Sequence, residues 1–122
     1  MNTVNVAVVG ASPKGDRYSN RAMQMLASYG HTPIPIAPAH DEILGRQVFR
    51  SLIDIQQPVH TVAMYVGSDR QASIIADILR IKPVRVIFNP GTENPSAYDQ
   101  LRSAGIEPIE ACTLVMLSTG QF

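Results

Sequence analysis

The residues best suited to chemistry are concentrated between positions 10 and 20, where the chain reads Gly10-Ala11-Ser12-Pro13-Lys14-Gly15-Asp16-Arg17-Tyr18-Ser19-Asn20. Glycine lets a backbone approach a ligand closely. Lys14 and Arg17 supply cations, and Ser12 and Ser19 supply hydroxyls. Placed before a helix, such a loop holds phosphate on backbone N–H groups and the positive end of the helix. The plainer alternative has Lys14 and Arg17 as solvated loop charges and Ser12 and Ser19 as helix caps. The two readings are compatible, because the same N–H groups serve a cap or an anion.

Other reactive side chains are scattered. Cys112 is the single cysteine. It is a candidate nucleophile or a partner for a mixed disulfide, but no His or Lys flanks it to activate a thiolate. It therefore reads as a small buried hydrophobe. His31 and His60 each precede a strand, and His40 lies in a turn. No pair among His, Cys and the carboxylates has the spacing of a metal site. Asp16, Asp41, Glu42, Asp69 and Glu93 fall in loops, where helix capping and solvation account for them. An acid–base pair among them is the alternative.

The elements that must position these residues are legible from periodicity. Positions 4–9 form an almost wholly apolar, β-branched run, as in a strand buried on both faces of a parallel sheet. Ala22, Met25, Leu26 and Tyr29 recur at helical spacing, which predicts a helix over about 19–29 with Ser19 or Tyr18 near its N-cap and Gly30 as its stop. Further strands are expected at 31–36, 61–66, 84–88 and 106–109. Pro33 and Pro35 make the second strand short and irregularly paired. Helices are expected at 70–81, capped by Ser68 or Asp69, and at about 95–104, capped by Asn94 with Pro95 at the first helical position. A brief helical turn is expected near 51–55, and a short terminal helix over 113–117. Alternating strands and helices predict an α/β fold: a doubly wound, Rossmann-like parallel sheet of five strands in the order 3-2-1-4-5, with helices on both faces. Ligands of such sheets bind at the carboxyl ends of the strands, where the loops 10–19, 37–41, 65–70 and 89–94 meet.

Composition narrows the function. The 122 residues make one domain, and 45% hydrophobic residues suffice for one packed core. Ten Lys and Arg balance ten Asp and Glu. A nucleic-acid or anionic-membrane surface is not expected, although a local basic pocket is compatible with this balance. No apolar run reaches the ~18 residues of a membrane helix, and no charged leader precedes the first strand. A cytoplasmic protein is the expectation.

Nicotinamide dinucleotide is a poor match to this loop. Ser12 stands at the second glycine of the dinucleotide fingerprint. The second strand ends Ile36-Ala37-Pro38, without the acid that holds ribose hydroxyls. A cationic loop with no acid at that position suits a ligand carrying several phosphates.

The segments Val8-Val9-Gly10-Ala11-Ser12-Pro13-Lys14 with Asp16-Arg17, Ile34-Pro35-Ile36-Ala37-Pro38, and Asp41-Glu42-Ile43-Leu44-Gly45-Arg46 resemble the small stand-alone CoA-binding domain proteins. These are similar to the CoA-binding domain of the succinyl-CoA synthetase α subunit. The resemblance covers nearly the whole chain. It implies coenzyme A, or an acyl-CoA, as ligand. Its pyrophosphate would lie on the N–H groups of Gly10, Ala11 and Ser12 and the start of the first helix, with Lys14, Arg17 and Ser19 adding charge-assisted bonds. Pro38 would border the adenosine. Tyr65, Val66, Asn89 and Pro90 would line the far wall along the pantetheine arm. Ala39 stands where the family often carries lysine, which removes one contact to the 3′-phosphate. In enzymes that carry this domain the catalytic histidine lies in other domains, so a binding module without chemistry of its own is implied. Two alternatives stay open: an oxidoreductase or transferase using a nucleotide cofactor in the same cleft, and a ligand-responsive regulatory subunit. A homodimer is a plausible assembly on general grounds, as is membership of a larger acyl-CoA enzyme complex.

Overall fold

A computed structural model describes residues 3–122. Five parallel strands form the sheet: β1 (Asn5–Val9), β2 (Thr32–Ile36), β5 (Thr61–Met64), β6 (Arg85–Phe88) and β7 (Glu107–Glu110). Between β2 and β5 a small antiparallel hairpin joins β3 (Glu42–Ile43) to β4 (Arg46–Gln47). Leu44 and Gly45 make its two-residue turn with φ of 52° and 74°, the positive values that match the twist of paired strands.

Alternation along each strand divides the core into two layers. Val6, Val8 and Ala63 face α1 (Tyr18–Ser28) and α4 (Thr113–Ser118), meeting Met23, Leu26 and Leu117. Ala7, Val9, Val62, Met64, Val86 and Phe88 face the opposite way. There they meet α2 (Ala72–Ile81), α3 (Pro95–Ser103) and a 3₁₀ turn at Leu52–Asp54. Both strand faces are therefore buried, which is why the strands read as continuous apolar runs. Each fully buried side chain, Phe88 and Leu101 among them, contributes about 1.5–3 kcal/mol. The helices end as their glycines require. His31 N–H donates to Leu26 O at 2.9 Å and Gly30 N–H to Ala27 O at 3.0 Å, with Gly30 at φ 89°.

The fold class is the one expected: a Rossmann-like parallel sheet with helices on both faces. The strand order differs. Along the sheet it is β2-β1-β5-β6-β7. Counted as the five long strands occur in the chain, that is 2-1-3-4-5 rather than 3-2-1-4-5. The two prolines give the reason. Thr32 N–H donates to Val4 O, so the alternate positions Pro33 and Pro35 present their nitrogens to the other edge of β2. That edge has lost two donors, and β2 is confined to the border of the sheet. Among the described residues that edge is met by a single parallel bridge at Phe49. The reversal of strand order consequently lies between β1 and β5.

A second difference concerns α2. Ser68 and Asp69 belong to a separate 3₁₀ turn (Ser68–Arg70), and Gln71 is the N-cap residue. Gln71 is fully buried. Its Nε2 donates to Val66 O and Thr92 O, each at 2.7 Å, and its Oε1 accepts from Asn94 Nδ2 at 3.0 Å. Tying the loops after β5 and β6 together takes a long side chain whose amide both donates and accepts, which neither Ser nor Asp provides.

At the amino ends of the strands, His31 and Phe122 pack with ring centroids 4.8 Å apart, and Arg85 lies over the Phe122 ring at 4.5 Å. Val4 N–H donates to His31 Nδ1 at 3.2 Å, a bond that needs the neutral imidazole acceptor. Burial, then the charge of Arg85, then His60 hold His31 below its ordinary value of 6.5, and burial and Arg85 do the same to His60.

Two predictions follow from this packing. Gly10 has φ 89°, and a Cβ there would lie 3.1 Å from the Tyr65 carbonyl carbon and oxygen and from Val66 Cγ2. Gly10→Ala is expected to lower stability by about 1–3 kcal/mol in denaturant titrations. An unchanged midpoint would refute the strained turn. For the histidines, the folded values lie below 6.5, so below that pH the unfolded chain takes up the proton first and stability falls with acidification. Thermal midpoints should drop as the pH is lowered through about 6.5, with a shallower drop in His31→Gln. Identical pH profiles for the two proteins would exclude His31 as a source of the effect.

Candidate functional site

β1 delivers the loop to the carboxyl edge of the sheet. Gly10 and Ala11 both donate their N–H groups to Ile36 O, each at 3.1 Å, which turns the chain sharply across the end of β2. Tyr65 N–H donates to Val9 O at 2.9 Å and carries the β1–β5 pairing up to Gly10. The loop is then pinned from inside. Asn20, buried at the start of α1, donates from Nδ2 to Ser12 O at 2.8 Å and accepts from Gln24 Nε2 at 2.7 Å. Lys14 N–H donates to Ser12 Oγ at 3.2 Å, and Arg17 N–H to Lys14 O at 3.1 Å. The N–H groups of Ser12, Tyr18 and Ser19 have no acceptor among the described residues.

A cleft of about 540 Å³ opens at the reversal point, with Val9, Gly10, Ser12 and Arg17 on the β1 side. Ile36, Ala37, Pro38, Arg50, Ser51 and Leu52 form the wall beyond β2, and Tyr65, Val66, Arg70, Ser73, Ile74 and Asp77 form the wall from β5 to α2. This volume falls within the ~300–1,000 Å³ of small-molecule sites. Three arginines and one acid, Asp77, line the cleft, so its field favours an anion. A second cavity of about 230 Å³ is lined by Tyr18, Tyr65, Asn89, Pro90, Cys112 and Leu114, with Tyr65 common to both.

The residues singled out in the sequence divide accordingly. Gly10, Ser12, Arg17, Pro38, Tyr65 and Val66 line the larger cleft. Asn89 and Pro90 line the smaller cavity. Ala11 is buried against Val6 and Val8, and Ser19 is buried at the helix start, while Lys14 is exposed and lines neither space. Asn89 is buried, with both ends of its amide engaged. Nδ2 donates to Met64 O at 3.0 Å, and Oδ1 accepts from Thr113 N–H at 2.8 Å and Thr113 Oγ1 at 3.0 Å. It ties β6 to α4 and offers a wall rather than a donor. The Tyr65 hydroxyl is buried without a hydrogen-bond partner, and burial pushes its pKa up to about 12. Thr113 stands nearby, but its hydroxyl is directed to Asn89. Arg50, Arg70, Ser73 and Asp77 were missing from the sequence-based set. Arg70 carried a signal, because it closes the loop after the third long strand. Arg50 carried none that spacing reveals.

Among the described residues no cluster of His, Cys, Asp and Glu is arranged to hold a metal ion, and no helix is long and apolar enough to cross a membrane.

Comparisons with known proteins agree with this architecture. A crystal structure of an uncharacterized protein superposes with a TM-score of 0.93 at 41% sequence identity, covering 100% of both chains. The uncharacterized protein YneT of Bacillus subtilis (strain 168) is 29% identical over 100 residues, which span 82% of this chain and 74% of YneT. The dinucleotide-forming acetyl-coenzyme A synthetase 1 of Ca. Korarchaeum cryptofilum shares the fold, with a TM-score of 0.79 at 23% identity; the match covers 90% of this chain and 26% of the synthetase. The family model for the CoA binding domain matches residues 4–118, almost the whole length, and the chain belongs to that family.

Proposed function

We propose that the protein binds coenzyme A or an acyl-CoA in the cleft between β1 and β5 and performs no chemistry on it. The observation that carries this reading is the pairing of unengaged N–H groups with cations at the reversal point. Ser12, Tyr18 and Ser19 keep free backbone donors around the start of α1, and Arg17 stands beside them. These groups fit a pyrophosphate, which offers several charged acceptor oxygens within a short span. The N–H groups of Gly10 and Ala11 are engaged by Ile36 O, so of the donors the resemblance implied Ser12 and the start of the first helix remain. Lys14, exposed at the rim, acts as a long-range cation at most.

Pro38 and Ile36 offer an apolar bed for the adenosine at the end of β2. Tyr65, Val66, Asn89 and Pro90 offer the route for the pantetheine arm towards the smaller cavity. No histidine or cysteine lines the larger cleft, and its titratable groups are Arg17, Arg50, Arg70, Tyr65 and Asp77. That set supports binding rather than general acid–base work at neutral pH. The second strand ends without a carboxylate, which weighs against nicotinamide dinucleotide as the occupant.

Calorimetric titration with CoA, NAD and ATP in parallel tests the reading. CoA is expected to bind at micromolar strength and to exceed the other two. Arg17→Ala should weaken CoA by about tenfold or more, the scale of one charge-assisted bond, and leave adenosine fragments without a pyrophosphate unaffected. Tighter binding of NAD or ATP would refute CoA as ligand. Equal losses for CoA and the fragments would refute the placement of Arg17.

A further inference from the structure

We propose that the smaller cavity, beside the start of α4, receives a short uncharged acyl group carried on the CoA sulfur, so that the protein takes short-chain acyl-CoA in preference to free CoA. This rests on the CoA reading above and names the form of CoA that the fold selects.

The buried amide of Asn89 builds the cavity. Asn89 follows β6, and its Oδ1 accepts from Thr113 N–H at 2.8 Å, which fixes where α4 begins. Cys112 and Leu114 thereby line one space together with Tyr18 from the start of α1, Pro90 from the loop after β6 and Tyr65 from the end of β5. Tyr65 also lines the larger cleft, so the two spaces share a wall. A ligand that runs out of the cleft past Tyr65 ends here.

The side chains of these walls offer apolar surface. Asn89 has spent its amide on Met64 O and on the backbone and hydroxyl of Thr113. Proline has no N–H to give. The Tyr65 hydroxyl is buried, so that residue presents its ring. Cys112 behaves as a small hydrophobe with a weak donor. Charge is absent as well. Arg17, Arg50 and Arg70 line the larger cleft and not this cavity. Arg21 lies over the Tyr18 ring at 5.6 Å without joining the lining. A carboxylate here would lose its water and gain no partner. Methylene groups gain from leaving water.

Size limits the chain. The volume is about 230 Å³, which at roughly 30 Å³ for each water-sized group holds about seven of them. A thioester with about three or four carbons fills that space, and a fatty chain exceeds it. Free CoA brings only a thiol and leaves Leu114 and Tyr18, 65% exposed, uncovered.

The test is calorimetric titration with CoA and with acetyl-, butyryl-, octanoyl- and succinyl-CoA. From CoA to butyryl-CoA affinity should rise about threefold for each added carbon and then level off by octanoyl-CoA. Succinyl-CoA should bind no more tightly than CoA. Leu114 is half-buried, and two substitutions there move the cavity in opposite directions. Leu114→Trp should reduce the preference for butyryl-CoA over CoA to less than about twofold, and Leu114→Ala should shift the best chain length beyond butyryl. Each ratio is taken on one protein, with CoA reporting an intact cleft. Equal affinity for CoA and butyryl-CoA overturns the acyl site and leaves the CoA reading standing. So does tighter binding of succinyl-CoA than of butyryl-CoA, or a chain-length series that neither Leu114 variant alters. Failure of the wild type to bind CoA or any of its thioesters overturns both.

Discussion

The carbonyl of Ile36 accepts the N–H groups of both Gly10 and Ala11, and the shape of the cleft depends on this shared acceptor. It draws the exit of β1 over the end of β2 and forces Gly10 into a positive φ. It also sets the backbone so close to Tyr65 and Val66 that a Cβ at position 10 would lie 3.1 Å from each. A side chain at position 10 would meet the Tyr65 carbonyl just beyond β5, so glycine serves here for close approach as well as for conformation. With the first two loop donors engaged, the loop runs outward and returns at Arg17. Free N–H groups then remain at Ser12 and in the first turn of α1. Asn20 holds this path from the buried side through Ser12 O. The ligand-facing geometry is thus a consequence of sheet pairing and one buried amide, not of the loop's own preferences.

The border of the sheet supplies the second constraint. The prolines at alternate positions remove both outward-facing donors of β2, those of residues 33 and 35, and leave its carbonyls. An edge with acceptors and no donors does not build a regular ladder, which also protects it from pairing with other chains. One bridge at Phe49 is what such an edge supports, and the hairpin from Glu42 to Gln47 buries Ile43 in the same cluster as Ala37, just past the end of the strand. The same feature that terminates the sheet thereby sets the course of the segment carrying Arg50, Ser51 and Leu52 into the cleft.

The strands and helices were legible because their signals are local. Val4 to Val9 and Val84 to Phe88 announce strands buried on two faces. Gly30, Gly105 and Gly120 stop helices within a residue of where they were expected. The strand order was misread although the signal was present. Pro33 and Pro35 signal more than irregular pairing: their shared parity, both nitrogens facing the same side, excludes a further strand on that side. The capping of α2 was misread because Gln71 is held by Val66, Thr92 and Asn94, partners that lie in other loops. The site was legible in part for the same reason. Gly10, Ser12 and Arg17 sit on one strand–loop–helix unit, and Pro38, Tyr65 and Val66 follow strand ends. Arg50 depends on a bridge between segments fourteen or so residues apart, which no spacing rule encodes. The engagement of the Gly10 and Ala11 N–H groups is likewise a long-range fact.

The central claim is that phosphate is held by the donors the fold leaves free, rather than by the glycine turn itself. Backbone amide resonances recorded during titration with CoA test it most directly. The account predicts the largest downfield shifts at the amide protons of Ser12, Tyr18 and Ser19, with those of Gly10 and Ala11 nearly stationary because Ile36 O retains them. Large shifts at Gly10 and Ala11 with silence at the start of α1, or perturbations confined to residues outside the cleft, would contradict it.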